Sequence, residues 1–343
     1  MTTRNLVRCL AWVLGTAPLL LSTTAMAQDC PATPDPVFTL DYGSRYADDS
    51  VNRSDLDAAK SAEVDEALGP VDDFLRDLTN IANGVYLPDA DQGAVADCVL
   101  GQVADWATVG ALAHLQSGNA KMTIGSRLAS LGLIVLQAAP FRTTDRDLDA
   151  IRPWLADLMQ RQMMYWEADA PDGAKRGNLR AWAALGGAAA AAILEDPVVR
   201  GWSAWSATYV LCTAEEDGSL PQEMSRGRYA LHYQMHAAAP LSVAAALLYR
   251  QGVDIRDRCD DALGRVVGFI KSDIYDGKIT EAKVGEPQSY FDGTDTLEGF
   301  HLAWIEAYLT IANDPNLDTL AEPYRPMSYS KLGGNQTLMW AKQ

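Results

Sequence analysis

Positive charge is scarce in this sequence: 28 Lys and Arg stand against 45 Asp and Glu, for a net charge of −17. A protein holding nucleic acid on a broad basic surface would reverse that balance, so this class is excluded and any anionic ligand needs a local explanation. Several catalytic patterns are missing too. Without a Cys-x-x-Cys pair, a thiolate zinc site or dithiol redox centre is not expected. The sequence has no His-Glu-x-x-His, Gly-x-Ser-x-Gly or Gly-Lys-Ser/Thr, which removes the zinc-helix, serine-elbow and phosphate-loop chemistries. Apolar and polar residues almost never alternate at period two, so half-buried strands are not expected. No Gly/Ser or Pro linker interrupts the stretch from about residue 54 to 312, so residues 28–343 read as one domain.

Export is written at the start. Arg4 and Arg8 precede a short apolar run, Leu10 to Leu21, and Ala25-Met26-Ala27 supplies small residues for cleavage. Removing residues 1–27 takes both arginines and deepens the charge from −17 to −19. Asp29 before Cys30 rules out a lipid-attachment motif, and no other run approaches the roughly 18 uncharged apolar residues of a membrane span. A periplasmic or secreted protein, monomeric and without nucleic-acid or membrane partners, is expected. Cys30, Cys98, Cys212 and Cys259 remain after cleavage. In an oxidising compartment they imply two disulfides, and of the three connectivities Cys30–Cys98 with Cys212–Cys259 is favoured.

An apolar content of 48% is ample for a large core. Apolar residues recur at helical spacing, as in Val103, Trp106, Val109, Leu112 and Leu115, predicting about ten helices. Leu185 to Leu194 and Leu241 to Leu248 are apolar or small all round, so these helices must pack on two faces. Inner and outer layers of helical hairpins do this, giving an all-α fold: an α/α toroid, or incomplete barrel, with its cleft at the loop-bearing rim.

One segment concentrates proton-transfer groups. Tyr229, His232, Tyr233 and His236 share a face if residues 229–236 are helical. Nearby Arg226 and Arg228, with Lys175, Arg176 and Arg180 ahead of Trp182, would form a local anion site if brought to one rim. Tyr46, Tyr290, Phe291, Tyr324 and Tyr329, in loop contexts, could stack on a sugar ring. Carboxylates such as Glu215, Glu216, Asp217 and Glu223 are abundant, but no spacing singles out a hydrolytic pair.

The chain resembles the alginate lyases of polysaccharide lyase family 5, periplasmic mannuronate lyases, over nearly its whole length after the leader. Cys30-Pro31, Ser44-Arg45-Tyr46, Asp97-Cys98 with Trp106, Asn178 with Trp182-Ala183-Ala184, and above all Gly218 to Met224 carry the resemblance. So do Ala230-Leu231, Tyr233, Pro240-Leu241, Gly252 to Arg256, Trp304, Glu306, Tyr308 and Leu332-Gly333-Gly334. It implies an α/α barrel with a lid loop around Arg45 to Arg53, and cofactor-free β-elimination. In that reaction a base takes the C5 proton, the neighbouring carboxylate is neutralised, and an acid protonates the departing O4.

The departures bear on mechanism. The family's His after the active-site Asn corresponds to Leu179, its Arg to Tyr229 and its catalytic Tyr to His236; only Asn178 of the quartet is kept. The expected site is therefore a rebuilt one. His236, Tyr233, Tyr229 and Asn178 would do the chemistry, with Arg180, Arg226, Arg228, Arg45 and Trp182 binding a uronate polymer and no metal or cofactor. A non-catalytic polyuronide-binding or exopolysaccharide-export component is the alternative, and glycoside hydrolysis on the same barrel a third reading.

Overall fold

The computed structural model describes residues 30–341, so the export signal expected at residues 1–27 lies outside the described residues. Among them, eight helical spans run fourteen residues or longer, the last of them with Cys259, Asp260 and Asp261 in left-handed backbone near its start. They are α1 (Ala58–Ala82), α2 (Gln92–Thr108), α3 (Gly125–Ala138), α4 (Arg146–Met164), α5 (Asn178–Leu194), α6 (Pro197–Leu211), α7 (Ala230–Arg250) and α8 (Arg258–Asp273). The Asp57, Asp91 and Asp196 side chains cap α1, α2 and α6 by accepting from free N–H groups of the first turn. Strand structure is confined to two pairs of two residues. Parallel β1 (Thr39–Leu40) and β2 (His114–Leu115) form one, antiparallel β3 (Ser328–Tyr329) and β4 (Gly334–Asn335) the other.

The helices form the expected incomplete α/α toroid. α1, α3, α5, α7 and the short helix Trp304–Leu309 pack each on the next as an inner layer. α2 backs α4, α4 and α6 back α5, and α8 lies against α6 and α7. The C-terminal segment spans the gap in the ring: Ser330–Asn335 packs on α1 and α3, and the following turn Gln336–Met339 on Trp304–Leu309. Ser130 Oγ donates to the Ser330 carbonyl at 2.7 Å, and the Asn335 N–H donates to Asn83 Oδ1 at 2.8 Å.

Small residues set the spacing of the inner layer. A Cβ on Gly125 would stand 2.8 Å from the Ala183 nitrogen, and one on Gly132 2.7 Å from the Ala189 Cβ, so α3 and α5 touch backbone to backbone. α5 accordingly feeds both large clusters of buried side chains, Ala184 and Leu185 on one side, Ala183 and Ala190 on the other. Gly118–Phe141, which carries Lys121 and Arg127, is long and apolar enough by composition to cross a bilayer, but 83% of its most apolar 18-residue window is buried and it serves as core.

Both favoured disulfides are present, Cys30–Cys98 and Cys212–Cys259, with Cα separations of 5.5 and 5.3 Å. The first ties the N-terminal segment to α2, where Trp106 Nε1 donates to the Pro34 carbonyl at 3.1 Å. From there the chain follows β2 to the rim, and the Tyr42 N–H donates to Ser117 Oγ at 3.2 Å. Residues 43–54 then arch over the mouth of the toroid. Two backbone bonds close the arch, Ala47 N–H to the Asp55 carbonyl and Asp57 N–H to the Arg45 carbonyl, each 2.9 Å.

Candidate active site

Beneath the arch lies a cleft of about 450 Å³. Its wall holds Arg45, Arg53, Arg127, Arg226 and Lys331, and no carboxylate belongs to the lining. Five cations without an acid, on a chain of net charge −17, make a focused positive field inside an acidic protein. Arg127 is pinned by a two-pronged bond to Asp72 at 2.8 and 2.7 Å, and Arg45 pairs with Asp65 at 2.7 Å. For Arg53, Arg226 and Lys331 no carboxylate partner occurs among the described residues. Burial, with Arg127 nearby, pushes the Lys331 ammonium down to about 8.

The arch and α7 meet in a tight polar knot. Tyr46 Oη and Tyr233 Oη share a hydrogen bond of 2.6 Å. Arg226 donates to Tyr46 Oη at 2.9 Å and to the Arg53 carbonyl at 2.6 Å. Its guanidinium also lies 3.8 Å from the Tyr233 ring centroid, close enough for cation–π attraction. Burial raises the Tyr233 pKa, so its phenol is protonated at neutral pH.

One turn along α7, His236 Nε2 accepts from Trp182 Nε1 at 3.0 Å. Indole nitrogen only donates, so Nε2 carries the lone pair and the proton of neutral His236 sits on Nδ1. Burial, then Lys331 and the neighbouring imidazoles, hold the His236 pKa well below the usual histidine value. Behind His236 and Lys331 opens a side chamber of about 200 Å³, also lined by His232, Met235, Ala239, Phe300, His301 and Tyr329.

Asn178 opens α5 at the cleft wall. Its backbone N–H donates to Glu223 Oε1 at 2.7 Å and its Nδ2 to Glu223 Oε2 at 2.9 Å. Burial pushes the Glu223 carboxyl up to about 7, against the opposing pull of both Asn178 bonds and Arg226. A Cβ on Gly177 would fall 2.8 Å from Glu223 Oε1, so the contact depends on a residue without a side chain there.

The structure gathers His236, Tyr233, Asn178, Arg226, Arg45 and Trp182 around one cleft, with Tyr46 from the arch. Three other expected site residues do not reach it. Arg180 points from α5 toward the outer layer, buried on Glu167, Ser206 and Tyr209, because α5 turns residues 178 and 180 to different faces. Arg228 pairs with Asp292 at 2.7 Å outside the cleft lining. Tyr229 precedes the first turn of α7 and stands beside Arg228 and His232, so it misses the face shared by Tyr233 and His236. Lys175 and Arg176 also lie off the lining, so of the five cations expected to form the anion site only Arg226 reaches it, and Arg45, Arg53, Arg127 and Lys331 supply the rest. Leu179 does line the cleft.

Arg127 and Lys331 escaped sequence reasoning. A lone Arg inside the apolar run from Ile124 to Leu136 was the available signal for the first. Lys331 owes its place to the C-terminal segment crossing the toroid gap, which no local pattern records. Glu223 was visible only as one acid among many.

Several known proteins are similar to this chain. The profile of the family described as Alginate lyase matches residues 123–278, the stretch carrying α3 through α8. A polysaccharide lyase of Stenotrophomonas maltophilia is 27% identical over 331 residues, covering 95% of each chain. An alginate lyase of Pseudomonas aeruginosa is 26% identical over 325 residues, 92% of this chain and 87% of its own. Among solved structures, alginate lyase A1-III from Sphingomonas species A1 superposes with a TM-score of 0.76 at 19% identity, covering 94% of this chain and 91% of that one. A His-to-Ala variant of alginate lyase A1-III complexed with tetrasaccharide gives a TM-score of 0.77 at 20% identity, with the same coverage, which speaks for the fold. Near end-to-end likeness to curated lyases, a family profile over residues 123–278 and the shared toroid together make this chain similar to the alginate lyases.

Proposed function

We propose that the protein is an exported polysaccharide lyase that cleaves alginate, or a closely related uronate polymer, by β-elimination. The observation that carries this reading is the acid-free cleft wall of five cations around Asn178, Tyr233 and His236 in a chain of net charge −17. Two disulfides suit an oxidising compartment outside the cytoplasm.

In this reading Asn178 Nδ2 and the Arg226 guanidinium bind the uronate carboxylate and offset its charge, which makes the C5–H more acidic. Neutral His236 takes that proton at Nε2, exchanging its bond to Trp182 for one to the substrate. The C5 electron pair forms the C4–C5 double bond, the C4–O4 bond breaks, and the protonated Tyr233 phenol delivers its proton to O4. The Tyr46 hydroxyl and Arg226 then stabilise the charge left on Tyr233. No step calls for a metal or organic cofactor. Loss of the family's His at Leu179 is answered by the imidazole of His236, 57 positions on in sequence but across the same cleft.

The test is a panel of polymannuronate, polyguluronate, polyglucuronate and pectate, followed by the ultraviolet absorbance of the unsaturated uronate product. Product from one of them, lost in His236→Ala and Tyr233→Phe but kept in His114→Ala, is the expected result. Binding of a polymer without any unsaturated product would overturn the lyase reading in favour of a carbohydrate-binding protein. New reducing ends without the absorbance would point to hydrolysis.

A further inference from the structure

We infer that Glu223 is the positioning residue of this site: through both of its oxygens it fixes the amide of Asn178, and with it the group that receives the substrate carboxylate. The inference rests on the lyase reading for the role of Asn178, and on the geometry of Glu223 for everything else.

Glu223 is 1% exposed and absent from the cleft lining, so it cannot itself touch a polysaccharide. It lies in the one-turn helix Pro221–Met224, which α7 holds firmly. Gln234 accepts from the Leu220 N–H and donates to the Gly218 carbonyl, both at 2.9 Å. Gly218, with φ of +88°, presses against the backbone of α8, where a Cβ would fall 2.0 Å from the Arg265 carbonyl oxygen. The carboxyl therefore has a fixed origin rather than a flexible stem.

From that origin it meets a single residue twice. Oε1 takes the Asn178 backbone N–H at 2.7 Å, and Oε2 takes Asn178 Nδ2 at 2.9 Å. Gly177 before α5 has no side chain to cap the helix, so Glu223 caps it from another segment, a favourable place for negative charge. Anchoring backbone and side chain of one residue to one rigid carboxyl fixes the amide plane. When Glu223 is ionised it also settles which end of the amide faces inward, because a flipped Asn178 would press its carbonyl oxygen against Glu223 Oε2. One Nδ2 hydrogen is then spent on Glu223 and the second is left for a ligand in the cleft. A bare Asn at a helix start would sample several rotamers, and freezing it in advance lowers the entropy cost of engaging the carboxylate.

The test is a double-mutant cycle on the full-length secreted protein with Glu223→Gln, Asn178→Ala and the combined variant. Glu223→Gln keeps shape and one acceptor but sets an NH₂ group against an Asn178 donor. It is expected to lower kcat roughly 10- to 100-fold, about the effect of misplacing a positioned group, with KM little changed. In the Asn178→Ala background the same substitution should cost less than about 2-fold, because Glu223 acts only through Asn178. Full activity in Glu223→Gln, or losses that multiply in the double variant, would overturn the inference. An NMR readout independent of turnover covers an inactive wild type: the Asn178 side-chain amide signals should be sharp and exchange-protected in the wild type and broad or exchanging in Glu223→Gln. Identical signals in the two proteins would likewise overturn it. Absence of unsaturated product from the wild type refutes the lyase reading instead, and leaves the NMR comparison to decide this one.

Discussion

Replacing Arg226 by Gln should weaken both the closure of the arch and the capture of substrate. Its guanidinium makes two charge-assisted hydrogen bonds, 2.9 Å to Tyr46 Oη and 2.6 Å to the Arg53 carbonyl, and stacks 3.8 Å from the Tyr233 ring centroid. Hydrogen bonds to charged groups contribute about 1.5–3 kcal/mol each, and the lower end applies because Arg226 is only half-buried. With about 1 kcal/mol for the cation–π contact, the sum is roughly 4 kcal/mol, less about 1 that Gln restores as a neutral donor. About 3 kcal/mol corresponds to a factor of roughly 10² in kcat/KM, at 1.36 kcal/mol per decade. Initial rates of unsaturated-product formation measure it. Hydrogen exchange at the Ala47 and Asp57 amides, whose bonds close the arch, should accelerate in parallel. Arg226→Lys should fall between, keeping the charge but not the planar fork that reaches two acceptors. A Gln variant with wild-type kcat/KM and unchanged amide protection would refute the assignment of Arg226 to both tasks.

Other expectations concern the scaffold and its protons. Gly132→Val places a branched side chain where even a Cβ meets Ala189 at 2.7 Å, and should lower stability by about 1–3 kcal/mol, read as a drop in Tm. Burial, then the neighbouring His232, holds His301 down to about 4. A histidine with a depressed folded pKa stabilises the native state above its unfolded value, about 6.5, and that contribution fades as pH falls toward 4. Urea unfolding across this window should show stability falling on acidification, and His301→Asn should flatten the slope. Reduction of Cys30–Cys98, which closes a span of 68 residues, removes about 4 kcal/mol on the loop-entropy estimate and should loosen the N-terminal segment that carries the arch. Thermal melts with and without reductant, compared with a Cys98→Ser variant, measure it.

Helix periodicity, the all-round small residues of α5 and α7, and the lack of period-two alternation were enough to read an α/α toroid, since each is a local pattern that repeats along the chain. The cysteine pairing was legible in part: four cysteines outside residues 1–27 allow three connectivities, and the favoured one is found. The shared face of Tyr233 and His236 followed from helical spacing alone. Tyr229 did not, because a helix starting at Ala230 leaves the preceding residue free of that spacing.

Charge in the cleft is another matter. The sequence shows an acidic chain with basic groups near Lys175, Arg180 and Arg226, and four of the five cations expected to form the anion site lie elsewhere: Arg180 is consumed by Glu167, Arg228 by Asp292, and Lys175 and Arg176 stay off the lining. The cations that do meet come from four separate places: Arg45 and Arg53 from the arch, Arg127 from α3, Arg226 from the turn before α7, and Lys331 from the segment bridging the toroid gap. Local order along a chain fixes which residues share a helix face. Which faces of distant elements confront one another, and which charges are spent on partners before they get there, depends on how the inner helices close into a ring and where the two ends of the chain cross it.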